Sequence, residues 1–538
     1  MNVVAGPSRR SVSAASSLVL VLLLLLGLRS AAAVSGAGAS GAAGNVVDVG
    51  EVTFSKDIAP ILQRSCQRCH QPDSVAPMSL IAYDQVRPYA RSILRRTHMG
   101  PVAGVMPPWF IEKDIGIQQY KNDPSLSDEE LAKIEAWVKS GAPEGDPADL
   151  PPPLPLNDSS KWTIGEPDLI TVLGEVTLEG DAPDWWGEIP PAPVGNTEDR
   201  YVAAVEIREV NDVLSSSGGS ERKTVGGRFI FHHMIWSTVV AESEQDLLAD
   251  PRRRDSASFT SWPVHEVGRN ADVFDPEAGR LLAANSTVVS NSVHLHSNGR
   301  DTTSHLEIGW KFHPEGYQPK YRRALRSFGD AVDIDIAAMD SNQQLHAYLV
   351  LPEHTKITSF EPHLHAPGAR MCLEFIWGTH IETLTCSGYD HNWVLGYEYA
   401  NDHEPLLPAG TILHITGFMD NSPSNRNVPD PRNWQGSGNR SVANMFIDLG
   451  HGVALSDEQL VEEVRERRRK LDVGPNDHVI GCPLCNVIAD SSSADRESAD
   501  GESGDEESGD EESSDQGSEA SEQPAPEPQS TSGGGSGD

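Results

Sequence analysis

Cationic side chains are scarce in this chain: 42 Lys and Arg face 79 Asp and Glu over 538 residues, a formal charge of -37. A field of that sign repels phosphate backbones, so nucleic acid and other polyanions are excluded as partners. Long apolar runs are nearly absent. The one unbroken stretch, Leu18–Leu28, has 11 residues, short of the ~20 that cross a bilayer as a helix. No later stretch is longer, so no integral span is expected in the mature chain. No repeat of 20–50 residues is visible, and no His-Glu-x-x-His occurs: His265-Glu266 meets Arg269 where the second histidine would fall, which weakens a zinc peptidase reading. Cysteine is confined to 6 positions, each of which can be considered singly.

The length implies roughly three domains. Arg9-Arg10, the apolar run and Ala31-Ala32-Ala33 read as a cleaved signal peptide, residues 1–33, and place the mature protein in the periplasm or outside the cell. A Gly/Ala/Ser linker follows. Residues 46–147 carry helical signals: Ser127-Asp128-Glu129-Glu130 opens an amphipathic run of Leu131, Ile134, Trp137 and Val138 that Gly141 ends. Pro151-Pro152-Pro153 is a stiff boundary. From Trp162 to Ile480 short β-branched and aromatic runs alternate with Gly, Pro, Asn and Asp, among them Tyr201–Ile207, Phe229–Val240, Thr287–Val293 and Thr411–Phe418. That length of pattern predicts two antiparallel β-sandwiches, jelly-roll-like in style. Residues 490–538 hold 16 acidic side chains and one arginine, Arg496, and are expected to be a disordered tail.

Cys66-Gln67-Arg68-Cys69-His70 fits c-type haem attachment, two thioethers and one axial imidazole in a single pentapeptide. A zinc site would need a second cysteine pair, and this segment has none. Candidates for the opposite axial ligand are Met78, His98, Met99 and Met106. Met106, ahead of Pro107-Pro108-Trp109, is the choice; His/Met ligation suits electron transfer.

Three compact histidine groups lie in the β region: His232-His233, His294-Leu295-His296 and His363-Leu364-His365. Residues i and i+2 of a strand share a face, so His363 and His365 can chelate one ion. His232 and His233 face opposite ways in a regular strand and need a bulge or a strand end to do so. Imidazole suits zinc, copper or iron, whereas a thioether selects Cu(I). Met339, Met371, Met419 and Met445 are available, and composition does not choose among them.

Phe231-His232-His233-Met234, Ser292-Val293-His294 with Asn298-Gly299, Pro362-His363-Leu364-His365, Asp420-Asn421-Ser422 and Asn444-Met445 together resemble the copper type II, ascorbate-dependent monooxygenases. That is the family of peptidylglycine α-hydroxylating and dopamine β-monooxygenase. The whole chain resembles bacterial exported fusions of a cytochrome c module to that core. The resemblance implies sandwiches at 160–325 and 326–480, each holding one copper. His232, His233 and His294 would hold the electron-transfer copper, with His296 as the alternative to His294. His363, His365 and Met445 would hold the oxygen-binding copper. Asn444 stands where the family has an acidic residue. The implied reaction hydroxylates a C–H bond of a small molecule or peptide with O2, using two electrons from an external donor. The haem domain is expected to replace or supplement ascorbate as reductant.

Cys372 and Cys386 flank an expected hairpin and are expected to pair, and Cys482-Pro483-Leu484-Cys485 reads as a short-loop disulfide. The remaining histidines are read as structural; His391, in Tyr389-Asp390-His391-Asn392-Trp393, is read at most as cleft lining, without a metal role. The rival functions are a haem and copper electron carrier without catalysis, and a zinc hydrolase.

Overall fold

The computed structural model describes residues 51–487, apart from 73, 75, 77, 156–160, 213–228, 241–258, 267–270, 325–326, 331, 439–442 and 475–476. The expected signal peptide and acidic tail lie outside the described residues. What is described is mostly antiparallel β-sheet with a few short helices. Among the described residues no helix is long and apolar enough to cross a membrane.

The N-terminal helices are Ala59–Ser65, Tyr83–Val86, Ala90–Thr97 and Asp128–Lys139. They close on a core of Phe54, Ile58, Leu62, Ile93, Ile134 and Trp137. Asp128–Lys139 begins where its residue pattern sets it. Ser127 and Glu130 cap each other reciprocally, acidic residues fill the first turn, and Gly141 takes the left-handed conformation (φ 92°) just past the end.

A first β body packs a six-stranded sheet on a five-stranded one. Alternating residues of Arg200–Asn211 and Thr302–Phe312 meet those of Phe231–Val240 and Ser286–Leu295 in one core, with Trp236, Trp262 and Trp310 at its centre. In the second body, Gln343–Val350, Ile412–Met419, Gly368–Trp377 and His380–Gly388 form a four-stranded antiparallel sheet in that order. Its inner face shares a core with Phe360, Leu364 and Phe446. Cys372 and Cys386 are directly opposite in the register and form a disulfide; Cys482 and Cys485 form another.

Two features depart from the sequence reading. Residues of the 46–147 segment run across onto the second β body: Ile111, Ile117 and Tyr120 pack in its core, and the amides of Glu112, Ile117 and Lys121 donate to Cys386, Leu384 and Glu398 carbonyls at 2.8–2.9 Å. Gly388 is required there, because a Cβ would lie 1.6 Å from the Pro101 carbonyl oxygen. The apolar residues of this stretch have no helical period and find their partners only in the β body. The second departure is a 14-residue helix, Asp457–Lys470, inside the region read as strands. Ser456 and Gln459 cap it, and basic residues fill its last turn, a local signal that the β-rich surroundings obscured.

Candidate metal centre

The first histidine group is built on a register slip. Along Phe231–Val240 and Ser286–Leu295, His294 lies opposite His233 and Leu295 opposite Phe231, so His232 is the extra residue of a bulge. The bulge turns the adjacent histidines to one side. Ligand nitrogens of His232, His233 and His294 lie within 4.8 Å of one another. On the neighbouring strand Trp186 is opposite His294, and its ring stacks on the imidazole at 3.9 Å between centres and 15° between planes. His294 is fully buried. His296, two residues on, places its Nε2 2.9 Å from that of His294 and stacks over His232 at 4.4 Å. Asp184 Oδ2 is 3.4 Å from both Nε2 atoms. Both members of the His294/His296 pair therefore sit at the cluster, with His296 on its more exposed side.

The second group rests on a shorter ladder. Pro362–Leu364 pairs with Phe446–Asp448, Leu364 opposite Phe446. His365 and Met445 each stand one residue beyond that last pair, just outside the two strands. His363 and His365 are buried with ring centres 5.4 Å apart, and Met445 is buried. His365 Nδ1 lies 3.1 Å from the Ala443 carbonyl oxygen. Buried Asn444 donates to Gln435 Oε1 and to the Gly436 carbonyl, each at 3.3 Å, so it anchors the backbone just ahead of Met445. Ala443 also lines a groove of about 690 Å³ with Trp434, Asp335 and Asp430.

His391 joins the two groups. Its ring centre is 5.8 Å from that of His365 in the second body and 6.3 Å from that of His232 in the first. The sequence places it at most as cleft lining, without a metal role, because no short metal-ligand motif surrounds it. Burial, reinforced by neighbouring imidazoles, pushes the His232, His363 and His391 pKa values down to about 3 and that of His294 down to about 2. These imidazoles are therefore neutral, the form that carries a lone pair. The Nδ1 atoms of His232, His294, His363 and His391 are buried with no hydrogen-bond partner. Each such atom costs about 1–3 kcal/mol if nothing compensates it. Among the described residues, His232, His233 and His294 bring three imidazoles within 4.8 Å of one another, a donor set that fits imidazole-binding metals such as copper or zinc.

At the haem motif, Cys66 and Cys69 are unpaired thiols at the end of Ala59–Ser65. Burial pushes the Cys66 thiol up to about 12, which makes it a poor redox nucleophile. His70 Nδ1 lies 3.1 Å from the Met78 carbonyl oxygen, which leaves Nε2 for an axial bond. Two thiols and an oriented imidazole fit covalent haem. Of the other axial candidates, Met78 packs on the helical core, His98 turns Nδ1 onto the Leu94 carbonyl (2.9 Å), and Met99 and Met106 are exposed. The loop ahead of Met106 reaches the seam: the Gly104 amide donates to Asp390 Oδ2 at 2.9 Å, one residue before His391.

No family model matches the chain, and no curated protein matches it. Among solved structures it is similar to the naturally occurring empty particle of cowpea mosaic virus, at 10% identity and TM-score 0.25, over 56% of this chain and 94% of that one. Another is a putative α-L-fucosidase from Bacteroides ovatus, at 6% identity and TM-score 0.13, over 60% of this chain and 43% of that one.

Proposed function

We propose that the chain is an exported haem c- and copper-containing monooxygenase that hydroxylates a C–H bond of an organic substrate with O2. One oxygen atom enters the product, the other leaves as water, and two electrons come from an external donor through the N-terminal haem unit. The observation that carries this reading is the meeting of two unlike donor sets at one seam. One is imidazole only, His232, His233 and His294. The other has buried His363 and His365 with ring centres 5.4 Å apart, and buried Met445 at the entry to the paired strand Phe446–Asp448.

Copper would supply oxygen activation and one-electron storage, and a covalent haem held by Cys66, Cys69 and His70, with Met106 as the proposed second axial ligand, would supply electrons. The chain's own residues do the rest. Neutral buried imidazoles present lone pairs without first losing protons. The bulge at His232 and the stacked Trp186 hold the first set rigid. Asn444 holds the strand entry that carries Met445. The groove bounded by Ala443 and Trp434 shares with the second set the residue Ala443, whose carbonyl oxygen lies 3.1 Å from His365 Nδ1, and would take an organic substrate.

Metal analysis with EPR and oxygen uptake tests the proposal. Two type II copper signals, a c-type haem spectrum and substrate-dependent oxygen consumption are expected. Met445→Ala should abolish oxygen-dependent turnover and leave the haem spectrum unchanged. Zinc alone, or full turnover in that variant, overturns the assignment.

A further inference from the structure

Away from the seam, the turn end of the hairpin formed by Gly368–Trp377 and His380–Gly388 carries two donors on one face. His380 and Glu382 stand at i and i+2 of their strand, with Trp377 and Phe375 opposite them in the register. The Phe375 ring braces that of His380 at 5.7 Å between centres. A third donor, His478, comes from the segment after the helix Asp457–Lys470, and its Nε2 donates to Glu382 Oε1. Glu382 Oε2 accepts from the Gly481 amide at 2.9 Å, so the backbone fixes one carboxylate oxygen and leaves the other turned to the imidazoles.

His380 Nε2 stands 3.9 Å from the same Oε1, too far for a hydrogen bond. One ligand atom from each of His380, Glu382 and His478 nevertheless lies within 4.8 Å of the others, and the two rings are 6.0 Å apart at 73°. Hydrogen bonding explains the His478 contact; an ion explains the convergence of all three. Donors about 2.0–2.2 Å from a tetrahedral zinc are about 3.3–3.6 Å apart, so the set closes on an ion by shifts of about 1 Å. The side chains of His380 and His478, 48% and 56% exposed, are free to make them by rotation. Two imidazoles with one carboxylate suit zinc, not the all-oxygen cations calcium and magnesium.

We propose that His380, Glu382 and His478 form a zinc site that fastens the C-terminal segment to the hairpin, with its fourth position open to solvent. On binding, the ion replaces the proton on His478 Nε2, which passes to Nδ1 or to solvent. The segment so fastened already packs Val479, Cys482 and Cys485 beside Leu406 and Leu460, and the Leu406 amide donates to the Gly481 carbonyl at 2.8 Å. The site shares no residue with the seam and does not rest on the copper reading.

The test titrates Zn2+ alone into the metal-free full chain, disulfides intact, by chelator competition, and reads hydrogen exchange across 478–485 with and without zinc. Wild type is compared with His478→Ala and with Glu382→Gln, which keeps an acceptor for Gly481. In both variants one zinc equivalent should be held about 10-fold or more weakly than in wild type, and zinc should slow exchange of the Gly481 amide in wild type only. Zinc taken by His232, His233 and His294 is common to all three proteins and cancels from the difference. A smaller change in either folded variant, or exchange at Gly481 that ignores zinc in wild type, overturns the proposal. If neither variant folds, zinc-dependent protection of Gly481 in wild type supports it and the absence of protection overturns it.

Discussion

The two histidine groups solve one problem by different means. The first is woven into a sheet: its donors come from paired strands, a bulge makes neighbours converge, and Trp186 clamps the row from a third strand. The second is assembled from short pieces, a three-residue strand and the chain entering Phe446–Asp448, with the loop at 389–393 pinned against it through Tyr389. A sheet-borne site holds its geometry through many shared backbone hydrogen bonds. A site borne by pieces depends on the few anchors at each, here Asn444, Tyr389 and the Ala443 carbonyl, and can change shape when one lets go.

The largest separation between the groups is expected from deleting a donor. On the proposed copper reading, His296 stands 2.9 Å from His294, so His294→Ala should still bind copper with about a 10-fold loss, whereas His365→Ala should lose about 100-fold or more, both read by chelator competition. Equal losses would erase the distinction. Next, replacing Cys372 and Cys386 by serine opens a link of sequence separation 14 and should cost about 3 kcal/mol in denaturant unfolding. That loss should fall on the second body, with hydrogen exchange in the first body unchanged. Trp186→Leu removes a stacked ring and should cost about 0.5–1.5 kcal/mol, with a loosened first copper seen as a broadened EPR signal.

The smallest effect concerns acid. Burial raises the Glu463 pKa, but the hydrogen bond from Tyr321 and the charges of Lys356 and Lys320 outweigh it, so the carboxyl sits below the usual range. A carboxylate depressed in the folded state contributes stability above its unfolded pKa, and that contribution fades as pH falls through the folded value. Glu463→Gln should therefore flatten the acid limb of the second body's stability profile and leave the first body's limb as it is.

Much of this was legible along the chain because it is written locally. The helix Asp128–Lys139 carries its own cap, apolar stripe and glycine stop, and the strands Phe231–Val240 and Ser286–Leu295 show their β-branched runs. That His232 and His233 face one way only through a bulge or a strand end followed from strand geometry alone, and the register slip supplies a bulge. The pairing of Cys372 with Cys386 followed from their places beside a hairpin. Other features were illegible for an equally physical reason. His391 and His365 are 26 positions apart, and only the loop pinned by Tyr389 and Asp390 sets them ring to ring. Ile111, Ile117 and Tyr120 give no sign in sequence that their core lies beyond the helical unit.

By itself the sequence determined the strand and helix types, the Cys-x-x-Cys-His pentapeptide and the donors that stand one or two residues apart, since backbone periodicity acts over such distances. Tertiary structure alone decided that both histidine groups face one seam, that His391 stands between them and that the segment after Gly100 docks beside it. Those juxtapositions come from burying apolar surface between distant segments, a force that carries no local pattern.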